Sequence, residues 1–136
     1  MNLQSEFSDA DTMRIFIAHS SHFDFRKKLY EPLRASALNL EHDIFLPQEK
    51  GSEKITKELI ESCDVLIAEV STPSLGAGIE MGWADAARIP IIAFQEEGSV
   101  VSLSVDNVVR ERITYSGSVD FIEKLEGILS RASQKD

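Results

Sequence analysis

One cysteine, Cys63, stands in the whole chain of 136 residues. A single thiol forms no disulfide framework within the chain and provides no metal-ligand spacing. Its simplest role is that of a small core residue beneath a helix. Basic residues are scarce: 14 Lys and Arg face 23 Asp and Glu, for a net charge of −9. Duplex DNA and RNA are bound by basic faces that neutralise phosphates, so a nucleic acid polymer is excluded as the expected partner. A small anion held by backbone amides is not. No apolar run approaches the roughly 18 residues of a membrane span. The opening stretch, Met1 to Asp11, is polar and acidic and does not read as a secretory signal. The expected location is the cytoplasm. Three dispersed histidines and one cysteine make no zinc set, and neither a metal nor a cofactor is expected.

What is present is an ordinary globular composition, with 43% apolar and 27% charged residues. A chain of this size fits one domain. The expected division is a polar segment over 1–13, a domain over 14–130 and a polar tail over 131–136. Short apolar runs alternate with helical patterns along the domain. Arg14–Ala18, Asp43–Leu46, Val65–Val70, Ile91–Phe94 and Ile113–Tyr115 read as strands. Phe25, Leu29, Leu33 and Leu38 fall at helical spacing after the first strand, with Ser20, Ser21 and Asp24 as candidate caps. Pro32 in that stretch predicts a kink or a late start. Ser52 is expected to cap a second helix carrying Ile55, Leu59 and Ile60. Ser71–Gly78 reads as a loop and Ile79–Arg88 as the helix after it. Ser99–Glu111 reads as a loop with a short helix. Val119, Ile122, Leu125, Ile128 and Leu129 close the domain with an amphipathic helix.

The inner strands are continuous apolar runs without alternation, the mark of a parallel sheet covered on both faces. The fold class expected is therefore α/β: a flavodoxin-like, doubly wound, five-stranded parallel sheet with helices on both faces. Ligands of such sheets bind beyond the carboxyl ends of the strands. That rule selects His19-Ser20-Ser21 and the segment Ser71 to Glu80.

The second segment is rich in hydroxyls and glycine, and it leads from a buried strand into a helix. Gly76 and Gly78 would let backbone approach a ligand closely, and free amides at a helix start can hold an anion. Glu80, placed in the first helical turn, would be kept ionised by the macrodipole. A carboxylate in a cleft can attack a sugar carbon with oxocarbenium character. An acidic residue near a helix start also stabilises the helix with no chemistry at all. The spacing matches neither a Walker loop nor the dinucleotide fingerprint. Glu69, on a buried strand, is expected to border the pocket or pair with a Lys or Arg. His19 could donate a proton near neutral pH, although a structural hydrogen bond is the commoner role for such a residue.

The run Ala68-Glu-Val-Ser-Thr-Pro-Ser-Leu-Gly-Ala-Gly-Ile-Glu-Met-Gly82 resembles the nucleoside 2-deoxyribosyltransferase superfamily, and within it the branch of 2'-deoxynucleoside 5'-phosphate N-hydrolases. A looser similarity extends over Arg14 to Ile128. The resemblance implies a five-stranded doubly wound sheet and an enzyme acting on a small nucleoside or nucleotide. In that family a Glu attacks the anomeric carbon, the base leaves, and water or a second base resolves the glycosyl-enzyme. The matching residue is Glu80. Ser20 and Ser74 match phosphate-contacting serines. Ser104, or alternatively Ser102, matches a serine that reaches the neighbouring subunit's site, and Asp106-Asn107-Val108 resembles a stretch of the transferase branch. A homodimer or higher homo-oligomer is implied, with Ser104 and Asn107 binding substrate. Three positions depart from the pattern: a family Asp falls at Thr56, a first-strand Tyr at Phe16, and a Gly at His19. Ile15-Phe-Ile-Ala-His-Ser-Ser21 with Asp24 also resembles the opening of Toll/interleukin-1 receptor domains, which implies an alternative NAD-cleaving or interaction module.

Overall fold

The computed structural model describes residues 12–133. The expected polar segment over 1–13 lies outside the described residues except for Thr12 and Met13. The expected tail over 131–136 begins inside the last helix, and its final residues are likewise outside.

Five strands form one parallel sheet in the order β2-β1-β3-β4-β5. They are β1 (Arg14–Ala18), β2 (Asp43–Phe45), β3 (Val65–Glu69), β4 (Ile91–Glu96) and β5 (Glu111–Tyr115). This is the flavodoxin-like order, with its topological switch between β1 and β3. Register pairs Phe16 with Phe45 on one side and with Leu66 on the other. Successive side chains of a strand point to opposite faces, so the inner strands feed two cores. Ile15, Ile17, Val65, Ile67, Ile92 and Phe94 enter one core with Leu29, Leu33, Phe121 and Leu125. Phe16, Ala18, Leu66, Ala68 and Ile91 enter the other with Ile60, Ala77, Met81 and Ala84. Burial on both faces is the physical reason these strands lack alternation.

The helices depart from expectation in instructive places. The first helical region is broken into a π-helical turn α1 (Arg26–Tyr30), α2 (Glu31–Ala35) and α3 (Leu38–Glu41). Pro32 has no N–H to give Lys28, and the ladder widens just before it, with the Glu31 N–H donating to the Arg26 carbonyl. No side chain caps α1, so Ser20, Ser21 and Asp24 do not serve there. Helix α4 (Lys57–Glu61) is capped by Thr56, whose Oγ1 accepts from the Leu59 N–H at 3.2 Å. Ser52, the expected cap, is an exposed loop residue.

Helix α5 (Leu75–Ala86) starts earlier than the glycines suggest. Ser74 takes the N-cap with extended backbone, and its Oγ accepts from the Ala77 N–H at 3.1 Å. Gly76 and Gly78 are therefore helical rather than part of a loop. A 3₁₀ turn (Leu103–Asn107) sits in the long connection after β4, and α6 (Gly117–Ser133) closes the chain. Cys63 is buried, and burial pushes its thiol up.

Candidate functional site

The carboxyl ends of β1 and β3 bring the two predicted segments to one end of the sheet. Ser20 is buried at the end of β1, and its Oγ accepts from the His22 N–H at 3.0 Å. Ser74 is half-buried at the start of α5. Ser20 and Ser74 each place a hydroxyl in a local backbone turn at the mouth of the sheet.

Glu80 lies in the second turn of α5, not the first, because the helix begins at Leu75. The macrodipole argument therefore gives way to burial. The helix turns Ala77, Met81 and Ala84 into the core, and Glu80 lies on the border of that face, half-buried. Burial pushes its carboxyl up to about 7. Among the described residues no hydrogen bond or ion pair engages it. Its charge is felt at Tyr30 on the opposite face of the sheet, whose hydroxyl burial pushes up to about 12. Glu80 is thus carried by α5, the helix that follows the carboxyl end of β3, and is partly withdrawn from solvent.

Beside the carboxyl end of β1 stand His19, already singled out in the sequence, and Tyr30, which no pattern marked as a site residue. His19 is buried, with Nδ1 2.9 Å from the Ser20 carbonyl and Nε2 2.7 Å from the Tyr30 hydroxyl. A carbonyl can only accept, so Nδ1 carries the proton and Nε2 accepts from Tyr30. Burial lowers the ring's pKa, and the bond to Ser20 only partly offsets this. Phe25 stacks on the ring at 4.5 Å. Both ring nitrogens are thus committed inside the protein, which favours the structural role over that of a proton donor. Tyr30 also accepts from the Gln48 N–H at 2.9 Å, and Arg26 donates to the Gln48 carbonyl at 2.9 Å. These bonds fix the loop after β2 beside Tyr30. Tyr30 carried no signal in the sequence.

Glu69, at the end of β3, is 2% exposed. It pairs with hydroxyls and an amide, and not with a Lys or Arg, which was one of the two roles expected of it. Tyr115 donates to Oε2 at 2.5 Å, the Ser71 hydroxyl to the same oxygen at 2.8 Å, and the Ser71 N–H to Oε1 at 2.7 Å. Burial pushes this carboxyl up while the donated bonds pull the other way.

Other predicted positions lie differently. Gly76 and Gly78 are exposed on the first turns of α5. A Cβ would meet only Ser74 Oγ at 4.0 Å at the first and nothing of this chain at the second, so packing within the chain does not require either glycine. Ser104 and Asn107 are exposed on the 3₁₀ turn, and among the described residues no hydrogen bond or ion pair joins them to Glu80. Thr56 is exposed, its hydroxyl spent on the α4 cap. Trp83 is half-buried against the second core. A cleft of about 200 Å³ opens at the other end of the sheet, among Met13, Pro90, Arg110 and Leu129, and holds none of the predicted residues. Among the described residues no His, Cys, Asp and Glu cluster could hold a metal ion, and no helix is long and apolar enough to cross a membrane.

No family model matches the chain. Two curated relatives, from Thermofilum pendens and Syntrophotalea carbinolica, carry the name "Putative 2'-deoxynucleoside 5'-phosphate N-hydrolase 1". The first is 38% identical over 76 residues, 52% of this chain and 53% of the relative. The second is 44% identical over 45 residues, 33% of this chain and 32% of the relative. The matched region thus spans about half, and about a third, of the relatives' lengths. Among solved structures, the Clostridium botulinum CMP N-glycosidase BcmB is 24% identical, with a TM-score of 0.62 over 83% of this chain and 98% of its own. A conserved protein from Enterococcus faecalis is 19% identical, with a TM-score of 0.64 over 86% and 99%. A signal receiver domain from Vibrio parahaemolyticus, 11% identical with a TM-score of 0.55 over 90% and 93%, shares the same architecture. Relatives and fold together bear out the chain's resemblance to the nucleoside 2-deoxyribosyltransferase superfamily.

Proposed function

We propose that this protein cleaves the N-glycosidic bond of a (deoxy)nucleoside or its 5'-monophosphate, with Glu80 as nucleophile. The observation that carries the reading is the state of Glu80: half-buried, raised to about 7 and unpartnered, beside the carboxyl ends of β1 and β3. A half-buried carboxyl without a bonded partner is harder to ionise than one in open water, and carboxyls so perturbed cluster at sites built for chemistry. The names of the sequence relatives support the same substrate class.

In the reaction, an ionised Glu80 oxygen forms a bond to C1'. The C1'–N bond breaks, and its electron pair leaves with the base, which takes a proton from solvent. Water then adds to C1', loses its proton to bulk water, and returns Glu80 to its carboxylate. A second base in place of water would make the reaction a sugar transfer. Ser20, Ser74 and the amides at the start of α5, approached closely past Gly76 and Gly78, would hold the 5'-phosphate. His19 and Tyr30 would wall the sugar side. A second copy of the chain would complete the pocket with Ser104 and Asn107. Leu75 at 84% exposure and Leu103 at 79% offer apolar surface for that copy. A cytoplasmic location suits such a substrate.

The test is release of free base from a panel of nucleosides and their monophosphates, with NAD included, followed by chromatography. Release from a nucleoside or nucleotide, lost in Glu80→Gln with the fold intact, supports the reading. Turnover retained in that variant removes Glu80 as nucleophile, and nicotinamide release alone points to a different substrate class.

A further inference from the structure

We infer that Glu69, Ser71 and Tyr115 form a positioning device that sets the turn between β3 and α5, and through it the placement of Ser74 and Glu80. The inference rests on the reading of Glu80 as the reacting group. The sequence after β3 is short, polar and interrupted by Pro73, so nothing in its own propensity holds it in one conformation. What holds it is the buried Glu69 carboxylate, which accepts both the N–H and the hydroxyl of Ser71 and anchors on the Tyr115 hydroxyl of β5. Ser71 Oγ in turn accepts from the Glu96 N–H at 2.7 Å, and the Glu96 carboxylate takes Lys28 of α1 at 2.9 Å. One continuous chain of bonds therefore joins β3, β4, β5 and α1 around a single residue of the turn.

Such a network is over-determined for stability alone. An apolar side chain at 69 would suit the buried strand end without desolvating a carboxylate. The network aims its bonds at Ser71, three positions before the α5 cap. From that cap, the helix carries Glu80 rigidly. Glu69, with both oxygens engaged by Ser71 and Tyr115, acts through the turn.

Three variants test it: Tyr115→Phe, Glu69→Gln and Ser71→Ala. Amide hydrogen exchange is read over 71–77 and over the strands, together with kcat and KM for base release well below the melting temperature. Exchange over 71–77 is expected to quicken at least about tenfold while the strands stay protected. The value of kcat is expected to fall about 10–100-fold, with KM changed less, because the reacting geometry loosens while the binding groups remain. Unchanged exchange over 71–77, or unchanged kcat in folded variants, overturns the inference. Uniformly faster exchange with normal kcat would show a merely structural network and overturns it too. If Glu69→Gln fails to fold, Tyr115→Phe and Ser71→Ala, which leave the carboxylate in place, decide. The exchange measurement needs no turnover. Activity persisting in Glu80→Gln would therefore remove the nucleophile while leaving the hold on the turn separately measured.

Discussion

Glu69 and Glu80 are two carboxyls at the same end of one sheet, and burial raises both. Glu69 is answered by three donated bonds from Ser71 and Tyr115. Glu80 is answered by none among the described residues. A satisfied buried carboxylate rigidifies its surroundings. A half-buried one without a bonded partner is simply harder to ionise. The same residue type thus separates into a fully buried, bonded post and a half-buried carboxyl without a bonded partner among the described residues, and it is the second that the proposed reaction uses.

The contrast breaks most sharply on activity. Glu80→Gln should lower turnover by roughly a thousandfold or more, since the fully buried carboxyl at that end of the sheet, Glu69, is held by three donated bonds. Rates of base release in purified variant and wild type check this. The next effect is on pH. The nucleophile must be ionised, so kcat/KM should fall about tenfold for each unit below 7 and level off above it. A pH–rate profile flat from 5 to 8 would show that Glu80 does not titrate where its burial places it.

Stability gives the third test. Glu80 has a folded pKa of about 7 against 4.5 when unfolded. Between those values the unfolded chain gives up the proton first, so wild type loses stability as pH rises through that window. Glu80→Gln has no proton to lose. Urea unfolding should find the variant equal to wild type near pH 4 and more stable at pH 8, by up to about 3 kcal/mol. Tyr115→Phe should do the reverse at Glu69, costing about 1–3 kcal/mol by removing a donor from a buried acceptor. The smallest effect separates two helix caps. Ser74→Ala and Thr56→Ala should each cost about 1 kcal/mol, but only Ser74→Ala should raise KM for a 5'-monophosphate over its nucleoside.

The sheet was legible in the sequence because inner parallel strands must be apolar on both faces, as Arg14–Ala18 and Val65–Glu69 are. Helix starts were less so. Gly76 and Gly78 read as loop, yet the Ser74 cap holds both in helical backbone. That single shift moved Glu80 out of the first turn and replaced a dipole-stabilised carboxylate with a desolvated one. The α4 cap moved from Ser52 to Thr56 for a similar reason: several hydroxyls qualify locally, and packing of Ile60 selects the start. Least legible were bonds between residues far apart in the chain. Tyr115 lies 46 positions from Glu69 and Tyr30 lies 11 from His19. Neither pairing has a periodicity to betray it: strand order brings Glu69 and Tyr115 together, and the packing of α1 on the sheet brings Tyr30 to His19.

The most direct measurement is a crystal structure of Glu80→Gln soaked with a deoxynucleoside 5'-monophosphate. The account predicts C1' within about 3–3.5 Å of the carboxamide oxygen introduced at position 80, with the phosphate at Ser20, Ser74 and the start of α5. A nucleotide lodged elsewhere, such as the cleft between Met13 and Leu129, or a sugar turned away from position 80, would contradict it.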